Sequence, residues 1–389
     1  MNTTANLRNA RLRTAAIAGA TAVILALTGC SADTAAPASD SGERSGSDAS
    51  SLEAKVAAYL EPLDEYSMPT DQIADGSVLE GKTVHYIPVT VQAPIFSLTS
   101  QIMAKATDAV GAKLQVCDGG GTPPTISQCI DGAINDQDTG VIILEGFFMG
   151  MAANAVKAAT AAGIPVINSN QREMPDFASS DQLGYQPASE GAAGGQMFLQ
   201  VASWMSLDSG GTASQLTMVS GDGPIQRTFV DEGMDEVKAD CAACTFSELD
   251  VTSANFGQVS SDLSSSLLQD PNINYVHAQF AQYIPVVLPA VNPNIKVGVG
   301  AATLGALRAV ETGQVAAASS QSPAFGAWAT IDAALRLING QELFEFTAPV
   351  RLFTADNIGD VDLTEEAEAS GEWYGPTTFP EDFTELWGR

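Results

Sequence analysis

Residues 140–167, GVIILEGFFMGMAANAVKAATAAGIPVI, decide the fold of this 389-residue chain. The run at 140–144 carries no polar side chain, which is typical of a parallel strand covered on both faces. The Ala-rich segment 149–162 predicts a helix, Gly163 ends it, and residues 164–167 predict a second strand. A strand, a crossover helix and another strand make a βαβ unit, so the segment predicts a parallel sheet covered by helices.

The same alternation of strands and helices continues on both sides of this unit. The other predicted strands are residues 83–89, 112–116, 216–219, 245–251, 274–278, 295–299, 315–319 and 350–353. The other predicted helices are one that starts after Thr122 and residues 96–110, 188–207, 225–239, 256–268, 284–291, 304–312 and 325–338. This order predicts an α/β fold with two doubly wound lobes, each built on a parallel sheet.

The N-terminus carries an export pattern. Three arginines precede the uncharged apolar run 15–27, which is too short to cross a bilayer as a helix. The run ends in LTGC at 27–30, which resembles the lipobox of bacterial lipoproteins. That resemblance implies that residues 1–29 are removed as a signal peptide and that Cys30 is lipidated, which anchors the chain to the outside of the cell membrane. The alternative is an ordinary export signal in which the cysteine is coincidental.

Charge and cysteine content agree with export. The net charge of -29 argues against direct binding to nucleic acid or to anionic lipid head groups. Apart from Cys30, the chain has four cysteines, an even number that suits disulfides in an oxidising compartment. The most local of their three possible pairings is Cys117–Cys129 with Cys241–Cys244. The second pair also suits a redox site or half of a zinc site, but no second Cys-x-x-Cys occurs, so disulfides and no metal are predicted.

The ends of the chain differ in composition from the alternating region. Residues 30–51 are rich in Ser, Ala, Asp and Gly and predict a disordered tether. Residues 52–80 predict an N-terminal extension with a short helix, because apolar residues recur there at helical spacing before prolines interrupt them. Residues 358–389 are acidic and aromatic, and we expect an irregular tail that packs over the lobes.

Five short segments follow one another in the order and spacing of a known family. They are GKTVHYIPV at 81–89, PIF at 94–96, AAGIPVIN at 161–168, Asp270-Pro271, and GQVAA at 313–317 ahead of Gln321. Together they resemble the type I periplasmic sugar-binding proteins of the ribose-binding class. The resemblance covers residues 81–353 and lies in the whole set, since no single segment is specific to that family.

This resemblance implies two lobes joined by a three-segment hinge, with a ligand cleft between them. The N-terminal lobe would comprise residues 81–185 and 322–347, and the C-terminal lobe residues 186–321 and 348–357. We expect a monomeric protein without a cofactor, which captures a small sugar-like or polyol solute and delivers it to the permease of an ABC importer. The alternative is a ligand-sensing lipoprotein that uses the same cleft and presents its bound state to a membrane receptor.

Candidate ligand contacts lie where strands end, because open α/β sheets bind ligands outside the carboxyl ends of their strands. Aromatic faces stack on the apolar face of a sugar ring, and amide groups hydrogen-bond to its hydroxyls. On these grounds and on the resemblance, the candidates are Phe96, Phe148, Asn170, Gln171, Arg227, Phe256, Gln279 and Gln321.

Each candidate also has a purely structural interpretation. The phenylalanines suit core positions, the polar candidates suit a loop, and Arg227 suits the exposed face of a helix. Measured against the family, this chain also departs from the pattern, since charged or amide residues are replaced by Ala93, Phe280 and Ala301 and an arginine by Gln171. A ribose or standard aldopyranose would then leave hydroxyls unpaired. We therefore expect a smaller polyol, a modified sugar or a less polar metabolite.

The sequence contains none of the common catalytic motifs. It has no Gly-x-Ser-x-Gly nucleophile elbow and no His-Glu-x-x-His zinc motif, and its glycine-rich segments lack the lysine of a phosphate-binding loop. Its two histidines, His85 and His277, both fall within predicted strands. The sequence therefore predicts a protein that is not an enzyme.

Overall fold

The computed structural model describes residues 45–187, 193–221, 223–252 and 255–389, with side chains described from residue 51 onward. The predicted signal peptide and the lipidation site at Cys30 lie outside the described residues. No helix among the described residues is long and apolar enough to cross a membrane.

Five strands form the first sheet, and all of their pairings are parallel. They are β1 (Thr83–Pro88), β2 (Lys113–Val116), β3 (Thr139–Glu145), β4 (Val166–Ser169) and β5 (Leu183–Gln186). The helices in this part of the chain are α1 (Ser45–Leu60), α2 (Pro94–Ala109), α3 (Pro123–Asn135) and α4 (Ala153–Ala161). The strand order is β2-β1-β3-β4-β5, and every residue of β1 is buried because helices cover both faces of the sheet.

Six strands form the second sheet. They are β6 (Ser214–Ser220), β7 (Thr245–Val251), β8 (Tyr275–Ala278), β9 (Lys296–Val299), β10 (Ala317–Gln321) and β11 (Val350–Thr354), in the order β11-β10-β9-β8-β6-β7. The helices are α5 (Ala193–Asp208), α6 (Pro224–Asp240), α7 (Val259–Gln269), α8 (Ile284–Val287), α9 (Leu304–Glu311) and α10 (Pro323–Ile338). Helix α1 packs on α5 of this lobe through its buried Leu52 and Val56. It begins at Ser45, inside the segment predicted as a disordered tether, and not at residue 52 as predicted.

The chain crosses between the two lobes three times: after β5, between β10 and α10, and between α10 and β11. Helix α10 packs against α2, β4 and β5 of the first lobe, although the strands on either side of it belong to the second sheet. Because β11 brings the chain back from the first lobe, it runs antiparallel to β10. The predicted α/β fold of two lobes is confirmed, with one antiparallel edge strand where fully parallel sheets were predicted.

Two disulfide bonds join the four cysteines of the described residues. Cys117, directly after β2, is bonded to Cys129 of α3, and Cys241 is bonded to Cys244 at the end of α6. The Cα atoms of the two pairs are 5.8 Å and 5.4 Å apart, within the usual range for a disulfide. The most local pairing predicted from the sequence is the one present.

The prediction of an irregular C-terminal tail was wrong. The tail contains α11 (Glu365–Ser370) and α12 (Phe379–Leu386). Phe379 and Phe383 of α12 and Trp387, which directly follows it, recur at four-residue spacing and are buried on one side. This side packs against α10, beside Tyr66 of the N-terminal extension. The apolar spacing was therefore present in the sequence, and the acidic residues between the aromatics obscured it.

Candidate functional site in the cleft between the lobes

Polar side chains lie in a row at the carboxyl ends of three neighbouring strands of the first sheet. Glu145 ends β3, Ser169 ends β4 and Gln186 ends β5, and each is paired in register with the next. In-register residues of parallel strands point to the same face of the sheet. Here it is the face that α10 covers, because the Ser169 hydroxyl contacts Thr330 of that helix. Each residue of the row is at most 4% exposed. We call Glu145, Ser169 and Gln186 the polar row.

Glu145 is the charged member of the polar row. Its carboxylate accepts a hydrogen bond from the Tyr86 hydroxyl at 2.5 Å and from the Asn170 side-chain amide at 2.9 Å. Burial raises the pKa of the Glu145 carboxyl, and these two hydrogen bonds oppose the rise. Burial and the neighbouring carboxylate also raise the pKa of Tyr86 well above its usual value. Two neutral donors therefore hold the Glu145 carboxylate at the carboxyl end of the first sheet, which is the end at which open α/β sheets bind ligands.

A small cavity lies beside the polar row, where the first sheet meets the crossing from β10 to α10. Its lining includes Thr99, Glu145, Ser169, Asn170, Gln321 and Ser322. Its volume is about 10 Å³, about the space that one water molecule needs. Two residues predicted from the sequence, Asn170 and Gln321, are thus brought together with the unpredicted Glu145.

A larger cavity, of about 320 Å³, lies at the opposite end of the first sheet. Lys82 and Thr139, which precede or begin β1 and β3, line it together with Gly163 and Gln182. These residues are at the amino ends of the strands, whereas open α/β sheets bind ligands at the carboxyl ends. We therefore place the candidate site at the carboxyl ends of the strands, beside the smaller and more buried cavity.

Phe96 lies directly above the end of β3. A Cβ atom at Gly146, the residue after Glu145, would collide with the Phe96 ring, so the ring rests on the backbone there. Gly146 has a φ of +81°, a conformation that also favours glycine. The predicted aromatic is therefore next to the polar row, and it is only half-buried.

Two contacts cross the cleft from the first lobe to α6 of the second. Phe148, which follows β3, packs against Ile225 and Phe229 of α6. Arg172, which follows β4, binds Glu232 of α6 through both terminal nitrogens, at 2.5 and 2.6 Å. Its guanidinium group also lies 5.4 Å from the centre of the Phe229 ring. Phe148 was predicted as a cleft residue, whereas Arg172 was not.

Several buried amides in or just after β4 and β5 lack partners among the described residues. The side-chain oxygens of Asn168 and Gln171 are buried without a hydrogen bond, and so are both amide atoms of Gln186. An unpaired buried polar group costs free energy, so an amide that bonds a bound solute offsets this cost. Gln171, predicted from the sequence, thus belongs to a group of available amides.

The other three predicted residues of the second lobe have different surroundings. Gln279 accepts from the backbone of Ser220 at 2.7 Å and donates to the backbone of Gln226 at 2.8 Å, so it ties α6 to the end of β6. Arg227 forms ion pairs with two carboxylates of β7. Phe256 is exposed after β7, with its ring centre 5.9 Å from that of Tyr283.

The residues missed by the sequence prediction are Tyr86, Glu145, Arg172 and Gln186. Two of them could have been found from their places in the sequence. Glu145 directly follows a strand predicted to end at residue 144, and Gln186 lies just before the first crossing between the lobes. Tyr86 gave no signal, because an aromatic residue inside an apolar strand is typical of a core. Within the described residues, no group of His, Cys, Asp or Glu side chains is arranged to hold a metal ion.

No protein-family model matches the sequence, and no curated protein sequence matches it. Solved structures are similar. One is an ABC sugar transporter subunit from Rhodobacter sphaeroides 2.4.1, 18% identical with a TM-score of 0.60, which matches over 72% of this chain and 100% of that chain. Another is a carbohydrate transporter from Acidothermus cellulolyticus 11B in complex with myo-inositol, 20% identical with a TM-score of 0.60, over 75% and 99% of the two chains.

A third similar structure is the 5-methylthioribose transporter solute binding protein from Thermotoga lettingae TMO in complex with 5-methylthioribose. It is 14% identical with a TM-score of 0.64, over 81% of this chain and 99% of that chain. At such identities the likeness is one of fold. The chain has the type I periplasmic-binding-protein fold that the sequence resemblance implied, and it carries additional residues that these proteins lack.

Proposed function

We propose that the chain is an extracytoplasmic solute-binding lipoprotein of an ABC importer, which captures a small sugar-like or polyol solute between its lobes. The observation that carries the proposal is the polar row at the strand ends of one lobe, next to residues after β3 and β4 that contact α6 of the other lobe. Solved proteins of similar fold were described with myo-inositol and 5-methylthioribose, which supports a polyhydroxylated solute. No catalytic reaction is part of this function.

Capture begins on the first lobe. Glu145 and Asn170 supply an oxygen and an amide that are already held in place by each other, so little side-chain entropy is lost on binding. Gln186 supplies an amide group that lacks partners, and Gln171 supplies an unpaired amide oxygen. Phe96 supplies an apolar face that covers a ring or a carbon chain. Together these groups match the alternating polar and apolar surfaces of a polyhydroxylated solute.

Closure of the lobes buries the solute. In the closed arrangement, α6 contacts the first lobe through Phe148 and through the Arg172–Glu232 ion pair. Opening separates these contacts, with backbone changes at the three crossings that connect the lobes. A solute that contacts both lobes binds the closed state more tightly than the open state, and this difference in affinity shifts the protein toward the closed state. The permease then distinguishes the closed from the open form and receives the solute.

The lipid anchor keeps the protein beside its permease. The motif at residues 27–30 supports lipidation at Cys30. A Cys30→Ser variant, expressed with its signal, is expected to move from the membrane fraction to the soluble extracytoplasmic fraction. An unaltered chain that is found in the soluble fraction would overturn the anchoring part of the proposal.

A thermal-shift screen tests the binding function. The purified protein is heated with sugars, polyols, nucleosides and amino acids in separate samples. A ligand at 100 times its Kd stabilises the folded state by about 2.7 kcal/mol, so a specific solute produces a clear rise in Tm. Gln321→Ala is expected to weaken binding, whereas Gln269→Ala, an exposed glutamine at the end of α7, is the matched control. If no solute raises the Tm, the proposed function is wrong.

A further inference from the structure

Glu145 is a buried carboxylate without a cationic partner. Its two donors, the Tyr86 hydroxyl and the Asn170 amide, are both neutral. No ion pair among the described residues includes Glu145. Glu145 is 4% exposed, so bulk water does not solvate the charge in place of a cation, and the cavity beside it has room for about one water molecule.

A buried charge of this kind is costly for the folded protein. An ionised carboxylate that leaves water without a cation loses far more hydration free energy than two neutral hydrogen bonds return. A glutamine at position 145 would accept hydrogen bonds in the same place without that cost. The fold alone therefore does not account for a carboxylate at this end of β3.

We propose that the solute carries a protonated amino group beside its hydroxyls, and that the Glu145 carboxylate pairs with this group. The inference rests on the proposed function, because that function brings a solute to the strand ends of the first lobe. It narrows the solute to the amino sugars and amino polyols.

The groups beside Glu145 suit such a solute. An ammonium group has three donors and no acceptor, so it needs oxygen atoms around it. Gln186, two strands away on the same face, is 1% exposed and has an amide with no partner. Gln321 lines the same cavity as Glu145. Their amide oxygens can accept from the ammonium group while their N–H groups donate to the hydroxyl oxygens.

The charge of the whole chain acts in the same direction. The net charge of -29 creates a negative potential that concentrates cationic solutes near the protein. Arg172, a basic side chain close to the row in sequence, has both terminal nitrogens bound to Glu232. It therefore does not neutralise Glu145.

Matched pairs of amines and alcohols test the inference by titration calorimetry. The probes are D-glucosamine with D-glucose, D-galactosamine with D-galactose, and D-glucamine with D-sorbitol, at a pH where the amines are protonated. A charge-assisted hydrogen bond in a buried site predicts at least one amine that binds about tenfold or more tightly than its alcohol.

Variants then assign the preference to Glu145. Glu145→Gln keeps the shape and removes the charge, so the amine and the alcohol are expected to bind with similar affinity. Glu311→Gln removes an exposed carboxylate at the end of α9 and is the charge-matched control, which keeps the preference. Glu145→Asp keeps the charge on a side chain that is one methylene shorter, so this variant is expected to reduce the preference for amines without abolishing that preference. The comparison of amine with alcohol in the unaltered protein does not depend on any variant folding.

The outcomes separate this inference from the proposed function. If alcohols bind as tightly as their amines in the unaltered protein, the inference is wrong and the proposed function stands. If Glu145→Gln keeps the preference for amines, another group recognises the cation and the inference is also wrong. If neither amines nor alcohols bind, the inference is wrong, and the thermal-shift screen decides the proposed function separately.

Discussion

Arg172 of the first lobe and Glu232 of the second lobe form a two-pronged ion pair across the cleft, with N–O distances of 2.5 and 2.6 Å. Arg172 follows β4 and Glu232 lies on α6, and these two elements would separate if the lobes opened. The guanidinium group also lies over the ring of Phe229, so opening of the lobes would separate this contact as well. The pair is partly exposed, so its contribution to closure is modest.

Removing this pair is expected to shift the lobes toward the open state. Glu232→Gln should weaken solute binding by a factor of about 5, since a partly exposed pair contributes about 1 kcal/mol. Calorimetry measures the affinity, and fluorescence transfer between labels on the two lobes measures the opening. Glu236→Gln is the control, because Glu236 lies on the same helix and pairs with Lys55 of α1, which packs on the second lobe. Equal effects of the two variants would contradict a role across the cleft.

Glu145→Gln is expected to stabilise the free protein at neutral pH. Burial raises the pKa of the Glu145 carboxyl above its usual value of 4.5. A raised folded-state pKa gives a stabilisation that is complete below about pH 4.5 and is lost as the pH rises through the folded-state pKa. Glutamine does not ionise and loses nothing over that range. Urea unfolding at several pH values measures the difference, and a variant less stable than the unaltered chain at neutral pH would contradict it.

His277 predicts loss of stability in acid. It lies in β8, is fully buried, and its ring stacks on Phe198 with centroids 4.5 Å apart. Burial lowers the pKa of His277 from 6.5 to about 3, so the unfolded chain takes up the proton first as the pH falls. His277 therefore costs nothing above pH 6.5, and between that pH and about 3 it removes about 1.4 kcal/mol per pH unit.

A His277→Leu variant tests this dependence. Its free energy of unfolding should fall less steeply with acid than that of the unaltered chain, because leucine does not titrate. Other groups titrate in both proteins, so the quantity to compare is the difference between the two curves. Parallel curves between pH 6.5 and pH 5 would show that His277 is not responsible.

Strands with a continuous apolar run could be predicted from the sequence. The roles of residues that depend on contacts between distant parts of the chain could not. The apolar run ending at residue 144 and the segment 164–167 identified β3 and β4, because buried parallel strands leave a continuous apolar pattern. Glu145, which follows that run and ends β3, was given no predicted role. The role of Arg172 depends on how closely α6 approaches it across the cleft, and no pattern within one lobe contains that distance.

The C-terminal tail is expected to contribute to stability through Trp387. The indole N–H of Trp387 donates to the Asp332 carboxylate at 2.9 Å, and Arg336 donates to the same carboxylate at 2.6 Å. All three side chains are at most 1% exposed, so removing a donor leaves a buried charge less well satisfied. Trp387→Phe should therefore cost about 1–3 kcal/mol, measured by urea unfolding. Leu268→Ala, at a side chain that is 84% exposed, is the control and should change the unfolding free energy little. A Trp387→Phe variant as stable as that control would show that the tail covers α10 without stabilising it.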